Sequence, residues 1–200
     1  MEFNYRFTVF TSCYNSSRFI HRVFESLESQ SFRDFEWLVI DDASTDNTKE
    51  LIKEYIKTAK FPVNFIEQEE NQMLTKNMNL GFKLAKGELM VFAGHDDRIM
   101  PEALEVFNNV WEKYGNNKTS GIFCLCQDQN GSLIGKKFPE DIMISDYFTI
   151  TYKLKNDREK FGCTRTDVLR EFLFDTEIDR YIPESLLWGK IGMKYNTIYQ

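Results

Sequence analysis

The chain has 200 residues, of which 42% are hydrophobic and 28% charged, a composition typical of one globular domain with a sizeable core. Its formal net charge of −6 argues against a nucleic-acid partner, because binding to a phosphate backbone requires a basic face. The sequence contains no apolar run near the roughly 20 residues of a membrane-spanning helix. Its four cysteines form no Cys-x-x-Cys pair, which argues against structural zinc and fits a reducing cytosol. We therefore expect a cytoplasmic protein, and peripheral contact with the inner face of the plasma membrane stays open.

The first part of the chain alternates between short apolar runs and helical patterns. The runs predict strands at 7–11, 36–40, 63–67 and 88–93. Apolar residues recur at helical spacing in the segments 19–27, 51–56, 75–85 and 103–114. This β-α-β-α-β-α-β-α order predicts an α/β fold with a Rossmann-like, mostly parallel sheet flanked by helices.

The pattern changes after residue 115. Residues 122–127 predict a strand, and the following Asp-Gln-Asn-Gly sequence predicts a hairpin turn that returns through 132–134. Residues 136–160 are polar and predict an irregular loop or small subdomain. The remaining predicted elements are helices at 166–171 and 184–194 and a β-like segment at 197–199. We expect a single domain over residues 1–200 with two halves, 1–115 and 116–200.

Two pairs of adjacent aspartates follow two of the predicted strands. Asp41 and Asp42 follow the second strand, and Asp96 and Asp97 come shortly after the fourth. Because open parallel sheets bind ligands outside the carboxyl ends of their strands, we expect both pairs on one rim of the sheet. Carboxylates at such a rim suit a nucleotide and a divalent metal shared with its diphosphate. The alternative is that these aspartates cap the turn or helix that follows each pair, but two pairs on one rim favour a ligand site.

Other polar residues are weaker candidates. Thr11, Tyr14 and Asn15 follow the first strand and suit the framing of a base by stacking and amide hydrogen bonds, although Asn15 equally suits a helix-capping turn. Glu184 begins a predicted helix directly after Pro183. It is either an acid favoured by the helix dipole or a general base, and the residues alone leave these two interpretations even.

Taken together and in this order, these segments resemble glycosyltransferase family 2, whose members have the GT-A fold. The sequence Asp41-Asp42-Ala43-Ser44-Thr45-Asp46 resembles the family's Asp-Asp-x-Ser-x-Asp signature, and Gly94-His95-Asp96-Asp97 resembles its metal motif. The other similar segments are 8–15, 30–32, 35–40, 76–77, 85–88, 100–104 and 182–188.

The resemblance implies a metal-dependent, inverting enzyme that transfers a sugar from a nucleotide-diphosphate donor, a UDP-sugar in the first instance. It implies a saccharide or lipid-linked saccharide acceptor and a role in bacterial surface polysaccharide or glycan synthesis. Residues 1–115 would form the nucleotide-sugar-binding half. Residues 116–200 would form the acceptor-side half, expected to be incomplete because the family often continues with further strands.

The resemblance also implies roles for individual residues. Asp97 and Asp96 would ligate Mn²⁺ or Mg²⁺, and Glu184 would deprotonate the acceptor hydroxyl. The residues implied to contact the donor are Thr11, Tyr14, Asn15, Asp41, Asp42, Lys76, Asn77 and Asp96. One departure from the family bears on the metal, because Gly94 stands where the usual Asp-x-Asp motif has its first acid.

Two other functions remain open at this stage. One is a nucleotide-sugar-binding domain without catalytic activity, in which the acceptor side is incomplete. The other is a nucleotidyltransferase, which also uses acidic metal sites on an α/β sheet. The chain lacks the Gly-rich basic loop that would favour the nucleotidyltransferase.

Overall fold

The computed structural model describes residues 2–177 and 182–200. The strands are β1 (Tyr5–Cys13), β2 (Phe35–Asp41), β3 (Val63–Glu67), β4 (Gly87–Phe92), β5 (Thr119–Gln127), β6 (Leu133–Ile134), β7 (Met143–Ser145), β8 (Lys160–Arg165) and β9 (Asn196–Tyr199). The helices are α1 (Ile20–Glu28), α2 (Thr48–Thr58), α3 (Leu74–Leu84), α4 (Ala103–Tyr114), α5 (Thr166–Glu171) and α6 (Glu184–Gly192), with a π-helical turn at Thr149–Lys153. Within the described ranges, no helix is both long and apolar enough to cross a bilayer.

The strands form one nine-stranded sheet in the order β3-β2-β1-β4-β8-β5-β9-β7, with β6 paired to β5 outside this path. Strands β1 to β4 are mutually parallel. Strand β8 lies between β4 and β5 and is antiparallel to both. The predicted α/β sheet flanked by helices is confirmed. The first half of the chain contributes the four parallel strands β1 to β4, and in the second half β5 and β9 also pair in parallel.

The central strands are apolar on both faces. Val9, Trp37 and Val91 face one side of the sheet, where they pack with residues of α1, α2 and α4. Their neighbours Phe10, Leu38 and Met90 face the other side, where they pack with residues of α3, α5 and α6. Because successive side chains of a strand point to opposite faces, this double burial explains why the strands read as continuous apolar runs.

Strand β8 is the main element that the sequence pattern does not predict. It lacks an apolar run and contains Gly162, whose position against β5 leaves no room for a side chain. A Cβ at this residue would lie 2.1 Å from the carbonyl oxygen of Ile122. For residues 136–160 the sequence left an irregular loop or a small subdomain open. The irregular loop is only partly correct, because β7 and the π-helical turn lie within the segment and β7 pairs with β9.

A buried carboxylate fixes the start of β4. Glu36 is 2% exposed and accepts hydrogen bonds from the Thr8 hydroxyl at 2.8 Å and from the Lys86 N–H at 2.7 Å. The Thr8 hydroxyl oxygen in turn accepts from the Gly87 N–H at 2.8 Å. This network joins β1, β2 and the entry to β4, and so sets the position at which β4 delivers the aspartates that follow it.

Candidate functional site

A large cleft opens beyond the carboxyl ends of β1 and β4. Its volume is about 1480 Å³, and its walls include Ser12, the loop from Gly94 to Asp97, part of β5 and the first turn of α6. Three of the predicted site residues, Asp96, Asp97 and Glu184, line this cleft together. The cleft therefore joins the end of a parallel strand in the first half of the chain to a helix near its C-terminal end.

In the loop after β4, the carboxylate of Asp97 is held by a hydrogen bond from the backbone of the same loop. Asp97 Oδ2 accepts a hydrogen bond of 2.8 Å from the Gly94 N–H. A Cβ at residue 94 would lie 2.8 Å from that oxygen and 3.4 Å from Asp96 Oδ1. The glycine at the position where the family usually has an acid thus leaves the space in which the Asp97 carboxylate folds back.

Arg22 and Gln30, from the α1 region, form hydrogen bonds with the segment between Asp96 and Leu104. Arg22 Nη1 donates to the Asp96 carbonyl oxygen at 3.3 Å. Gln30 Nε2 donates to the Met100 carbonyl oxygen at 2.9 Å, while Gln30 Oε1 accepts from the Leu104 N–H at 3.2 Å. Sequence reasoning missed a site role for Arg22, because a charged residue on an amphipathic helix carries the same signal as a solvated surface residue. Gln30 could have been identified from the sequence, because it lies within a segment, 30–32, that resembles the family.

The donor set at the cleft suits a cation that is shared with a ligand. Within residues 2–177 and 182–200, no group of three or more His, Cys, Asp and Glu residues is arranged to hold a metal ion. Asp96 and Asp97 nevertheless place carboxylate groups on one loop. Mg²⁺ in nucleotide-dependent enzymes is commonly held by one or two carboxylates plus substrate phosphates. These residues therefore fit a divalent cation bound together with a diphosphate, rather than one caged by the protein alone.

Glu184 stands at the first position of α6, with its side chain in the cleft and open to solvent. The surrounding protein partly desolvates the carboxyl group, which raises its pKa above the ordinary value of 4.5, and the nearby negative charge of Glu159 acts in the same direction. A carboxylate with a raised pKa in a cleft is better suited to accepting a proton than an ordinary surface glutamate. This environment is compatible with a general base and does not exclude a dipolar role at the start of α6.

The other predicted residues are not in the walls of this cleft. They lie at the ends of β1 and β2 and in the first turn of α3. Asp41 is fully buried, and its Oδ2 accepts from the Ser44 N–H at 2.9 Å and lies 3.9 Å from Lys49 Nζ. This is the turn-capping contact that the sequence left open as an alternative. Asp41 thus shapes the loop after β2 from within.

Asp42 does not cap the turn that follows it, as the capping alternative would require. Its carboxylate binds the backbone just before α3. It is 4% exposed, and its two oxygens accept from the Gln72 N–H at 2.7 Å and the Met73 N–H at 3.0 Å. Met73 has φ 70° and ψ 161°, a conformation that residues with a side chain rarely adopt. The Asp42 carboxylate therefore anchors the strained entry to α3.

Three of the predicted donor contacts have internal partners. Thr11 is fully buried and its hydroxyl oxygen accepts from Trp37 Nε1 at 3.1 Å. Asn15 Oδ1 accepts from the Thr45 N–H at 2.8 Å. Asn77 is fully buried and donates through Nδ2 to Ser12 Oγ at 3.3 Å. These side chains connect β1 to β2, the loop after β1 to the loop after β2, and α3 to β1.

Tyr14 and Lys76 differ from these three because they face solvent. Tyr14 is 46% exposed, and Lys76 is exposed near the start of α3. Their side chains are therefore accessible to a ligand without rearrangement of the fold.

Several known proteins of similar sequence are named as glycosyltransferases. The family profile described as Glycosyl transferase family 2 matches residues 8–178. The chain is 33% identical over 102 residues to the poly(ribitol-phosphate) beta-N-acetylglucosaminyltransferase TarS of Staphylococcus aureus, a match that covers 50% of this chain and 18% of TarS. It is 27% identical over 188 residues to the GalNAc(5)-diNAcBac-PP-undecaprenol beta-1,3-glucosyltransferase of Campylobacter jejuni, which covers 92% of this chain and 58% of that protein.

Solved structures of other proteins share the fold of this chain. The crystal structure of S. aureus TarS 1–349 has a TM-score of 0.75 at 23% identity and covers 97% of this chain and 60% of that one. The mannosyltransferase PcManGT of Pyrobaculum calidifontis, in complex with GDP-Man and Mn²⁺, has a TM-score of 0.72 at 18% identity and covers 99% of this chain and 55% of that one. At these identities the likeness shows a common fold, and the chain spans less than two thirds of the length of each of these relatives.

Proposed function

The chain belongs to glycosyltransferase family 2, and on that premise we propose that it transfers a sugar from a nucleotide-diphosphate donor to an acceptor hydroxyl with inversion at the anomeric carbon. The observation that carries this proposal is the cleft shared by Asp96, Asp97 and Glu184. Its position beyond the carboxyl ends of β1 and β4 is where open α/β sheets bind their ligands.

The nucleoside end of the donor is proposed to bind beside the cleft, at the ends of β1 and β2. Tyr14 is accessible there and suits stacking on a base. Asp41, Asp42 and Asn15 would support this subsite by fixing the surrounding loops. A UDP-sugar is the first donor to test and GDP-mannose the second, since structures of relatives contain one or the other.

The diphosphate is proposed to lie against the loop that carries Asp96 and Asp97. These two carboxylates would hold Mn²⁺ or Mg²⁺ together with phosphate oxygens. When bound, such a cation neutralises negative charge on the departing diphosphate. Asp97 would contribute its carboxylate from the position that Gly94 leaves open to it.

Glu184 is proposed to act as the general base. Its carboxylate takes the proton of the acceptor hydroxyl as that oxygen forms a bond to the anomeric carbon of the donor sugar. The bond between the anomeric carbon and the diphosphate oxygen breaks on the opposite face, and the diphosphate leaves with the electron pair. Because this is a single displacement, the anomeric configuration inverts. The raised pKa of Glu184 supports its role as a proton acceptor.

The acceptor is proposed to be a saccharide or a lipid-linked saccharide, bound mainly by the half formed by residues 116–200. Walls of the cleft from this half include Phe123, Tyr147 and Trp188. Aromatic side chains offer an apolar face against which a sugar ring can pack. The Campylobacter jejuni relative, whose name specifies an undecaprenol-linked glycan, supports a lipid-linked acceptor.

The test is to incubate the protein with UDP-glucose, UDP-GlcNAc or GDP-mannose, with Mn²⁺ or with EDTA, and to measure both binding and release of the nucleoside diphosphate. We expect Mn²⁺-dependent binding and turnover of at least one donor. Asp97→Ala should abolish the metal-dependent part of binding, whereas Asp141→Ala, an exposed aspartate outside the cleft, should not. Donor binding without any turnover on a panel of saccharide acceptors would indicate a binding domain instead of an enzyme.

A further inference from the structure

Arg22 reaches from α1 to the loop that carries Asp96 and Asp97. It lies in the first turn of α1, and its guanidinium carbon lies 5.0 Å from the centroid of the Phe19 ring. Its Nη1 donates to the Asp96 carbonyl oxygen at 3.3 Å, and the side chain lines the cleft. Within residues 2–177 and 182–200 this is the one hydrogen bond that the guanidinium makes.

We propose that Arg22 binds the diphosphate of the donor, an inference that rests on the proposed glycosyl transfer. Asp96 and Asp97 repel a diphosphate, and a positive charge on the same wall would offset part of this repulsion in addition to the proposed cation. A guanidinium is permanently charged and presents its N–H groups in a fork that matches phosphate oxygens. With one N–H on the Asp96 carbonyl and the ring of Phe19 beneath it, Arg22 is restrained beside that loop with further donors available.

The other cations of the cleft wall are less suited to this role. Arg98 is 68% exposed and lies 3.6 Å from a carboxylate oxygen of Glu25. Lys160 Nζ donates to the carbonyl oxygens of Asn156 at 2.6 Å and Arg158 at 2.8 Å. Arg158 belongs to the acceptor-side half. Among the cations of the described wall, Arg22 is the one whose side chain donates a hydrogen bond to the loop bearing the aspartates.

The chain provides a matched control. The Arg18 guanidinium also lies over the Phe19 ring, at 5.7 Å from its centroid, but Arg18 is not part of the cleft wall. Replacing either arginine by methionine removes a charge and keeps an unbranched stem over the same ring. The two variants therefore differ in whether the lost charge faced the cleft.

The experiment is a calorimetric measurement of the dissociation constants of UDP and uridine, and of GDP and guanosine, for the parent, Arg22→Met and Arg18→Met. We expect Arg22→Met to weaken binding of the diphosphate about tenfold, equivalent to roughly 1.4 kcal/mol. Nucleoside binding should not change, and Arg18→Met should match the parent. With Mn²⁺ present throughout, the effect should shrink at high ionic strength and be partly restored in Arg22→Lys.

Several outcomes would overturn the proposal. Parental diphosphate affinity in Arg22→Met would do so while leaving the proposed function standing, as would an equal loss in Arg18→Met. A loss that salt does not weaken and lysine does not restore would assign Arg22 to holding the Asp96 backbone. If the parent binds neither nucleoside diphosphate, the proposed function fails and this inference fails with it. If nucleosides bind too weakly to measure, the comparison of the two methionine variants for UDP and GDP decides.

Discussion

The carboxylate of Asp97 accepts its hydrogen bond from the backbone N–H of Gly94, at 2.8 Å, within the loop that follows β4. The bond fixes the orientation of a side chain that the proposed function assigns to a metal. It also depends on the absence of a side chain at residue 94, since a Cβ there would lie 2.8 Å from the same carboxylate oxygen. The glycine is thus a structural requirement of this arrangement of Asp97.

Gly94→Ala should disturb the metal site and leave the fold intact. The new Cβ meets the end of a side chain rather than backbone, so the Asp97 carboxylate will move and the loop will remain. We expect Mn²⁺-dependent binding of UDP or GDP to weaken several-fold, with stability changed by no more than about 0.5 kcal/mol. Calorimetry and thermal denaturation measure both quantities. Gly189→Ala is the control, because a Cβ at that position in α6 meets nothing within 4 Å; parental metal-dependent affinity in Gly94→Ala would contradict the prediction.

Asp42→Ala should both destabilise the protein and weaken nucleoside binding. The substitution removes the acceptor of two backbone N–H groups, at Gln72 and Met73, and releases the strained entry to α3. Leaving such groups unsatisfied costs about 1–3 kcal/mol. Denaturant unfolding measures the stability change, and titration with uridine or guanosine measures the change in binding.

A second carboxylate gives the control for Asp42. Asp128 also accepts two backbone N–H groups, from Asn130 at 2.8 Å and Ser132 at 2.9 Å, but in an exposed hairpin turn. We expect Asp128→Ala to have a smaller effect on unfolding and none on nucleoside affinity. Unchanged nucleoside affinity in both variants, with the parent binding, would restrict Asp42 to a structural role.

The parallel part of the fold could be predicted from the sequence because its signals are local. Runs such as the one ending at Asp41 are apolar on both faces, and the loops that follow them carry acids. The hydrogen-bond partners of those acids could not be predicted. Asp42 pairs with the backbone of Gln72 and Met73, a contact set by how β2 and the entry to α3 meet in space. The distance between Asp42 and the backbone of Gln72 and Met73 cannot be deduced from their spacing in the sequence.

The second half of the chain was harder to predict for a related reason. Strand β8 is specified by the two strands that enclose it, and its Gly162 is required by close backbone approach rather than by strand propensity. The site role of Arg22 was missed in the same way, because the contact with Asp96 exists only after α1 packs beside the loop. Pairings of this kind depend on tertiary packing, which a single sequence does not display.

Asp46 should make stability depend on pH in the acid range. Partial burial acts to raise its pKa, but hydrogen bonds from Thr48 and Ser17 outweigh this and lower the pKa from 3.8 to about 2. Because the folded-state pKa is depressed, the stabilisation is present above pH 3.8 and is lost as the pH falls through about 2. Asp46→Ala should therefore lower the free energy of unfolding by about 1 kcal/mol at neutral pH.

The test for Asp46 is a comparison of urea unfolding of the parent and the variant at pH 7 and at pH 2–3. We expect the difference between them to shrink at the acid end. Asp141→Ala, which removes an exposed carboxylate, serves as the reference for general charge effects. A difference that stays constant across this range would show that the Asp46 contribution does not come from its ionised form.

The last prediction concerns Glu184 and separates chemistry from binding. Glu184→Gln is nearly isosteric and cannot accept the proton, so transfer should fall by about 10²–10⁴-fold. Donor affinity and thermal stability should not change, because the side chain is open to the cleft.

The pH dependence of transfer tests the same residue. In the parent, transfer should rise with pH through a pKa above 4.5, because desolvation and then the charge of Glu159 raise the pKa of Glu184. Glu159→Gln should shift this rise to lower pH, and Glu184→Gln should lose it. Initial rates on an acceptor shown to be used by the parent measure all three, and parental turnover in Glu184→Gln would remove this residue from the mechanism.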